Sequence, residues 1–180
     1  MVYLANKASR RCSSKGCPVQ KTLVRRLAHL AMIPAALLGT IAVAAPAEAA
    51  TASFTTLQTQ IVSLSNKERV KAGCKGLRVN SDLLWAARGH SKYMATTGKF
   101  SHTGAGNSTF ITRAKAAGYT AARSENIAWG YRSAPEVVNA WMKSPGHRRN
   151  LLDCGAKTFA VGVVFSANGT PYYTQDFGNR

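Results

Sequence analysis

Acidic side chains are what this sequence has least of. Seven Asp and Glu stand against 24 Lys and Arg in 180 residues, a formal net charge of +17. An excess of this size favours contact with anionic polymers or surfaces. The positive residues of the second half are scattered from Lys67 to Arg149 with no aromatic-interleaved motif, which argues against nucleic acid as a partner. A solvated basic surface is the plainer reading, and an anionic cell-wall polymer is the partner such a charge would suit. Catalytic signatures are missing too. No His-Glu-x-x-His helix, Gly-x-Ser-x-Gly elbow or Walker sequence occurs, so the local patterns of zinc peptidases, serine hydrolases and P-loop enzymes do not apply. The glycines of residues 99–107 do not make a phosphate fingerprint, because no strand precedes them and no Lys-Ser or Lys-Thr pair follows. There is no internal repeat, no low-complexity linker and no sign of a second domain, and the length suits one ordinary domain.

Cysteine is scarce, with four in the chain. Cys12 and Cys17 lie in a basic N-terminal stretch; as a pair they do not complete a tetrahedral metal site, and no function is assigned to them. Cys74 and Cys154 are an even pair far apart, which in an oxidising compartment reads as one structural disulfide worth roughly 2 to 4 kcal/mol. The rival reading is a catalytic thiol, but neither Cys sits in a motif that would lower its pKa.

The compartment is read from the N-terminus. Arg25 and Arg26 precede a mostly apolar run from Leu27 to Ala45, and Ala45-Pro46-Ala47 or Ala47-Glu48-Ala49 offers a small-x-small cleavage site. Residues 1–49 are therefore expected to be a signal peptide with a long basic leader, and residues 50–180 the secreted, extracellular domain. The alternative, a retained anchor, conflicts with Pro34, Gly39 and Pro46 interrupting the apolar run. After cleavage no stable membrane span is expected. Cleavage near Ala49 would remove seven basic residues and one acidic residue, leaving a part that is still about +11.

Within that part, Phe54, Leu57, Ile61 and Leu64 recur at helical spacing and predict a helix from Ser53 to about Ala72. Asn80 and Ser81 offer caps for a second helix whose stripe is Leu83, Ala87, His90 and Met94, with Gly98 as its stop. His90 is thereby assigned to the core and kept out of the site. A short helix with Phe110, Ala114 and Ala117 inward ends at Gly118, and Ser133-Ala134-Pro135-Glu136 is a capping box that opens a helix through Trp141. Pro145 breaks it. Beyond, Phe159, Val161, Val163 and Phe165 alternate, Asn168-Gly169 makes a hairpin turn, and Tyr172 to Phe177 returns. With a further short strand at Ile127 to Trp129, the class is α+β with a small antiparallel sheet covered by helices.

Ser144 and Pro145 suit the N-cap and first position of a new helix, which sets His147 in its first turn. The positive end of a helix dipole disfavours imidazolium there, and a neutral imidazole is what metal coordination and general-base chemistry need. His102, Glu125 and His147 are the candidate ligand-binding residues, though nothing local in their spacing joins them.

Four blocks supply the connection: Phe100-Ser101-His102, Ser124-Glu125-Asn126-Ile127-Ala128, Gly146-His147-Arg148-Arg149-Asn150-Leu151 and Tyr173-Thr174-Gln175-Asp176-Phe177-Gly178. In this order they resemble the signature blocks of the CAP superfamily of cysteine-rich secretory, antigen 5 and pathogenesis-related proteins, and its small secreted bacterial branch in particular. The resemblance implies a three-layer α-β-α sandwich with a large cleft lined by two His and two Glu, the His pair holding zinc or another divalent metal in some members. His102 matches the first His, Glu125 the first Glu and His147 the second His. Where animal and plant relatives carry the second Glu, this chain has Lys143-Ser144, and a Lys facing the cleft would repel a cation. The resemblance also supports the Cys74–Cys154 bond. The expected function is binding of a small-molecule or lipid ligand in that cleft, with a divalent metal on His102 and His147. The alternatives are a metal-dependent hydrolase, a peptidase or wall-active enzyme, and a cationic surface protein.

Overall fold

The computed structural model describes residues 53–180; the expected signal peptide, its cleavage site, Cys12 and Cys17 lie outside the described residues. The elements are α1 (Phe54–Lys71), β1 (Arg78–Val79), α2 (Ser81–Thr97), a 3-10 turn (Ala105–Asn107), α3 (Phe110–Ala116), β2 (Ala122–Trp129), α4 (Ala134–Lys143), α5 (Pro145–Leu151), β3 (Thr158–Phe165) and β4 (Pro171–Gly178). Helix starts follow their caps. The Ser53 hydroxyl accepts from the Thr56 amide, the Asn80 side chain accepts from the Leu83 amide, and Ser133 with Glu136 closes a reciprocal capping box. Gly98 ends α2 in the left-handed region (φ 69°), where a side chain would be strained.

The sheet has four strands in the order β1-β3-β4-β2. β3–β4 and β4–β2 are antiparallel, but β1 pairs with β3 in parallel. The small sheet is thus mixed rather than wholly antiparallel; a two-residue strand is too short to show alternation in the sequence. The strand expected at Ile127 to Trp129 starts earlier, at Ala122, because its whole length pairs with β4.

Strand alternation divides the sheet into two packed faces. On one, Phe159, Val161, Val163, Tyr173 and Phe177 pack with Leu57 and Ile61 of α1 and with Val137, Val138 and Trp141 of α4. On the other, Ala160 packs with Leu83, Ala86 and Ala114, and Met94 with Ile127 and Tyr172, from α2 and α3. Helices on both faces make the three layers. The second face is thin: a Cβ at Gly162 would stand 2.4 Å from the Ala87 carbonyl carbon and the Arg88 nitrogen, so α2 lies directly on β3 and glycine is required.

The ends of α1 and α5 are tied together twice. Cys74 and Cys154 are bonded, with Cα atoms 5.0 Å apart. Beside them the buried Arg69 donates to the carbonyls of Leu151 (2.8 Å), Asp153 (2.9 Å) and Lys75 (3.0 Å), which satisfies groups that α5 would otherwise leave bare at its C-terminus.

Candidate functional site

β2 is an edge strand, and the site gathers on it from both sides. Glu125 and Ile127 point toward the α2/α3 face, while Asn126 and Ala128 point toward α4 and α5. The loop after α2 brings His102 over the edge. Its Nδ1 lies 2.8 Å from Glu125 Oε1, so the carboxylate accepts from Nδ1–H and the Nε2 lone pair is left to face outward. Glu125 itself is buried. Its second oxygen accepts from Arg113 Nη2 at 2.5 Å, and Arg113 Nη1 donates to the carbonyls of His102 (3.1 Å) and Ser108 (2.8 Å). Arg113 therefore holds the loop and the carboxylate at once. Burial pushes the Glu125 carboxyl up, but the His102 hydrogen bond, Arg113 and the charge of His90 outweigh it, and the group ends below the usual carboxylate range.

Behind Glu125, directly opposite it in the β2–β4 ladder, stands Asp176. It is fully buried, and as a carboxylate neither of its oxygens would have a donor. Burial, and then the neighbouring charge of Glu125, raise its pKa well above the ordinary carboxylate value, which favours the protonated form beside Glu125. His90 is buried as expected and donates from Nε2 to the Ser101 carbonyl at 2.9 Å, which anchors the loop that carries His102.

His147 reaches the same edge from the opposite face. α5 begins at Pro145 as expected, but Ser144 occupies the N-cap position without a side-chain hydrogen bond. Asn126 and Asn150 fix α5 to β2: Asn126 donates to the His147 carbonyl (3.1 Å), and Asn150 donates to the Asn126 side chain (3.0 Å) and to the Glu125 carbonyl (3.2 Å). The imidazole is half-buried. Burial first, then the charge of His102, lowers its pKa, so it is neutral at neutral pH. The direction agrees with the expected neutral imidazole, and burial and a second histidine are the causes at hand.

Beside His147 runs a cleft of about 260 Å³ lined by Phe100, Ile127, Trp129, Tyr131, Trp141 and His147; of the three residues expected at the site, His102 and Glu125 do not line it. Trp129 bridges Phe100 and Tyr172, each ring centroid 6.3 Å from its own. At the place of the expected second Glu the wall is Ser144; Lys143 is exposed and does not line it. Among the described residues no group of three or more His, Cys, Asp and Glu is arranged to hold a metal. His102, oriented by a carboxylate, and His147 are two imidazole donors, too few for a closed four-ligand site.

Sequence reasoning missed Arg113, Asp176, Asn126 and Asn150. A signal for Asp176 existed: an acid in a strand that alternation buries on both faces must have a special partner. Arg113 gave none, since its target is 12 residues away across a turn.

Residues 62–177 match the CAP family, described as the cysteine-rich secretory protein family. Over 186 aligned residues the chain is 32% identical to the "Uncharacterized protein YkwD" of Bacillus subtilis, covering 98% of this chain and 71% of that protein. Among solved structures, an extracellular protein containing a SCP domain from Bacillus anthracis is 29% identical with a TM-score of 0.64, over 70% of this chain and 41% of the other. A cysteine-rich secretory protein from Staphylococcus aureus shares the fold at 19% identity and a TM-score of 0.61, over 71% of this chain and 40% of the other. The chain thus spans less than half the length of these two solved proteins. Among the described residues no helix is long and apolar enough to cross a membrane.

Proposed function

The chain belongs to the CAP family, and from that premise we propose that it is a secreted binding protein whose cleft beside His102, Glu125 and His147 takes a small or lipidic ligand. One observation carries the reading: a half-open apolar groove, walled by Phe100, Trp129, Tyr131 and Trp141, ends at a neutral imidazole. Aromatic walls with a few convergent polar groups are the ordinary make-up of a small-molecule site. Trp129 remains 52% exposed in the free protein, and covering that ring is the gain a ligand would realise.

His102 and His147 are the residues that would hold a divalent ion such as zinc, which would supply a Lewis acid at the mouth of the groove. Glu125 orients His102 for either role. Since both its oxygens are engaged, Glu125 is poorly placed to take a proton from water. The hydrolase alternative therefore turns on His147 as base.

Titration of the protein with a fluorescent fatty acid, read through the emission of the fatty acid probe itself, tests the proposal. Wild type should saturate, and Trp129→Ala should bind at least about tenfold more weakly, the loss expected for one aromatic wall. Equal binding by the two proteins would reject the groove as the site. Zinc titration by calorimetry should give one site that His147→Ala abolishes. Turnover of casein or peptidoglycan that needs zinc and vanishes in His147→Ala would move the assignment to the hydrolase.

A further inference from the structure

A second cavity, about 750 Å³, opens where the first residues of β2 meet the later part of α5 and the segment that follows it. Its walls include Arg123, Ser124, Arg148, Arg149, Asn150 and Asp153. We propose that this cavity is a binding site for the phosphate groups of a base-free phosphodiester polymer, of the alditol-phosphate kind. The proposal stands apart from the cleft reading, because none of these side chains lines the aromatic groove.

Three guanidinium groups converge on one concave surface, and only one of them is neutralised. Arg123 is paired with Asp153, whose other oxygen accepts the Gly155 amide at 2.9 Å. The remaining ion pairs among the described residues are Lys71–Glu68, His102–Glu125 and Arg113–Glu125. Among the described residues Arg148 and Arg149, which line the cavity, therefore have no carboxylate within 4 Å, and the local charge is about +2. Guanidinium forks bind phosphate oxygens in pairs.

The walls are also held before any ligand comes. The Cys74–Cys154 bond and Arg69 fix the segment after α5, and Asn150 is tied to Asn126 and to the Glu125 carbonyl. Pre-fixed walls lower the ordering cost of binding. Two chemistries of the same charge suit the cavity less well. No aromatic ring lines it, so bases have nothing to stack on. The exposed large apolar side chains, Trp85 and Trp129 among them, lie elsewhere. Its apolar lining is Leu152 and the disulfide, too little to enter a bilayer.

The test measures binding of synthetic poly(glycerol phosphate) to the wild-type protein, to an Arg148→Gln/Arg149→Gln variant and to a Lys92→Gln/Lys99→Gln variant with the same charge change at exposed sites outside the cavity. The arginine variant should lose at least about tenfold in affinity, from two charge-assisted hydrogen-bonding groups, and its salt slope should fall by about 1 to 2. The lysine variant should bind like wild type, and inorganic phosphate should compete. Equal losses in the two variants would mean diffuse attraction and overturn the site. A single-stranded oligonucleotide of equal phosphate number, or phosphatidylglycerol vesicles, binding as tightly and with the same arginine dependence would overturn the choice of ligand. Because all four substituted side chains are exposed, melting temperatures should coincide, and binding differences then report on the cavity.

Discussion

The two faces of the sheet use the same strands and meet their helices in different ways. Toward α1 and α4 the strands present Phe159, Val161, Val163, Tyr173 and Phe177, large side chains that fill the space to Leu57, Ile61 and Trp141. Toward α2 and α3 they present Ala160, Gly162 and Thr174, and the helix comes close enough for Ser91 to donate to the Gly162 carbonyl (3.1 Å) and to share a hydrogen bond with the Thr174 hydroxyl (2.9 Å). That face also buries His90, Glu125 and Asp176. The thick face stabilises chiefly by removing apolar area from water. The thin face places backbone and polar groups within hydrogen-bond reach of each other, and that proximity lets Arg113, His102 and Asp176 meet around one carboxylate. The first face resists unfolding, and the second holds geometry.

The largest effect should come from the covalent tie beside the thick face. Replacing Cys74 and Cys154 by Ser frees a loop with a sequence separation of 80 residues, which the chain-entropy model sets at about 4 to 5 kcal/mol. Urea denaturation should show the midpoint falling and the slope rising, since the unfolded chain without the bond expands and exposes more surface; an unaltered midpoint would contradict the tie. Phe159→Ala removes a fully buried ring from the thick face, where about 3 to 5 kcal/mol is expected by the same measurement. Gly162→Ala should cost about 1 to 3 kcal/mol on the thin face although it adds one methyl group. It should also weaken zinc or ligand binding, because α2 must move and the loop after it carries His102. If Phe159→Ala disturbed binding more than Gly162→Ala at matched stability, the division of labour between the faces would be wrong.

The smallest effect in acid, and one that grows with pH, belongs to Asp176. Burial and Glu125 raise its folded pKa. Its contribution is therefore complete below the unfolded value near 3.9 and is lost as pH rises toward the folded pKa, since the native state keeps a proton that the unfolded chain releases. Asp176→Asn needs no proton, so the variant should gain on wild type in urea midpoint as pH rises above the unfolded value near 3.9. A constant difference would mean that Asp176 is ionised in the fold. Glu125 has the opposite sign. Its folded pKa is lowered, so its contribution is present above the unfolded value and is lost as pH falls through the folded one.

Legibility in the sequence followed the range of the interaction. Ser53, Asn80 and the Ser133–Glu136 box mark helix starts because a cap bonds residues two or three positions away. The hairpin was readable from Asn168-Gly169, and His90 from its place on an apolar helical stripe. The site was legible only through the likeness of its blocks, since His102 and Glu125 meet across 23 residues and no local rule predicts that. β1 left no trace, because two residues carry no period.

Composition, caps, alternation and the cysteine pair are properties of the chain itself, and they determined the helices, the strands, the basic character and the bond between Cys74 and Cys154. The raised pKa of Asp176, the clamp of Arg113 on Glu125, the burial of His147 beside a second histidine and the concave grouping of Arg123, Arg148 and Arg149 were decided only by the tertiary structure. Each depends on burial or on the meeting of groups remote in sequence, and a residue's charge state and its partners are set by the medium and the neighbours that the fold provides.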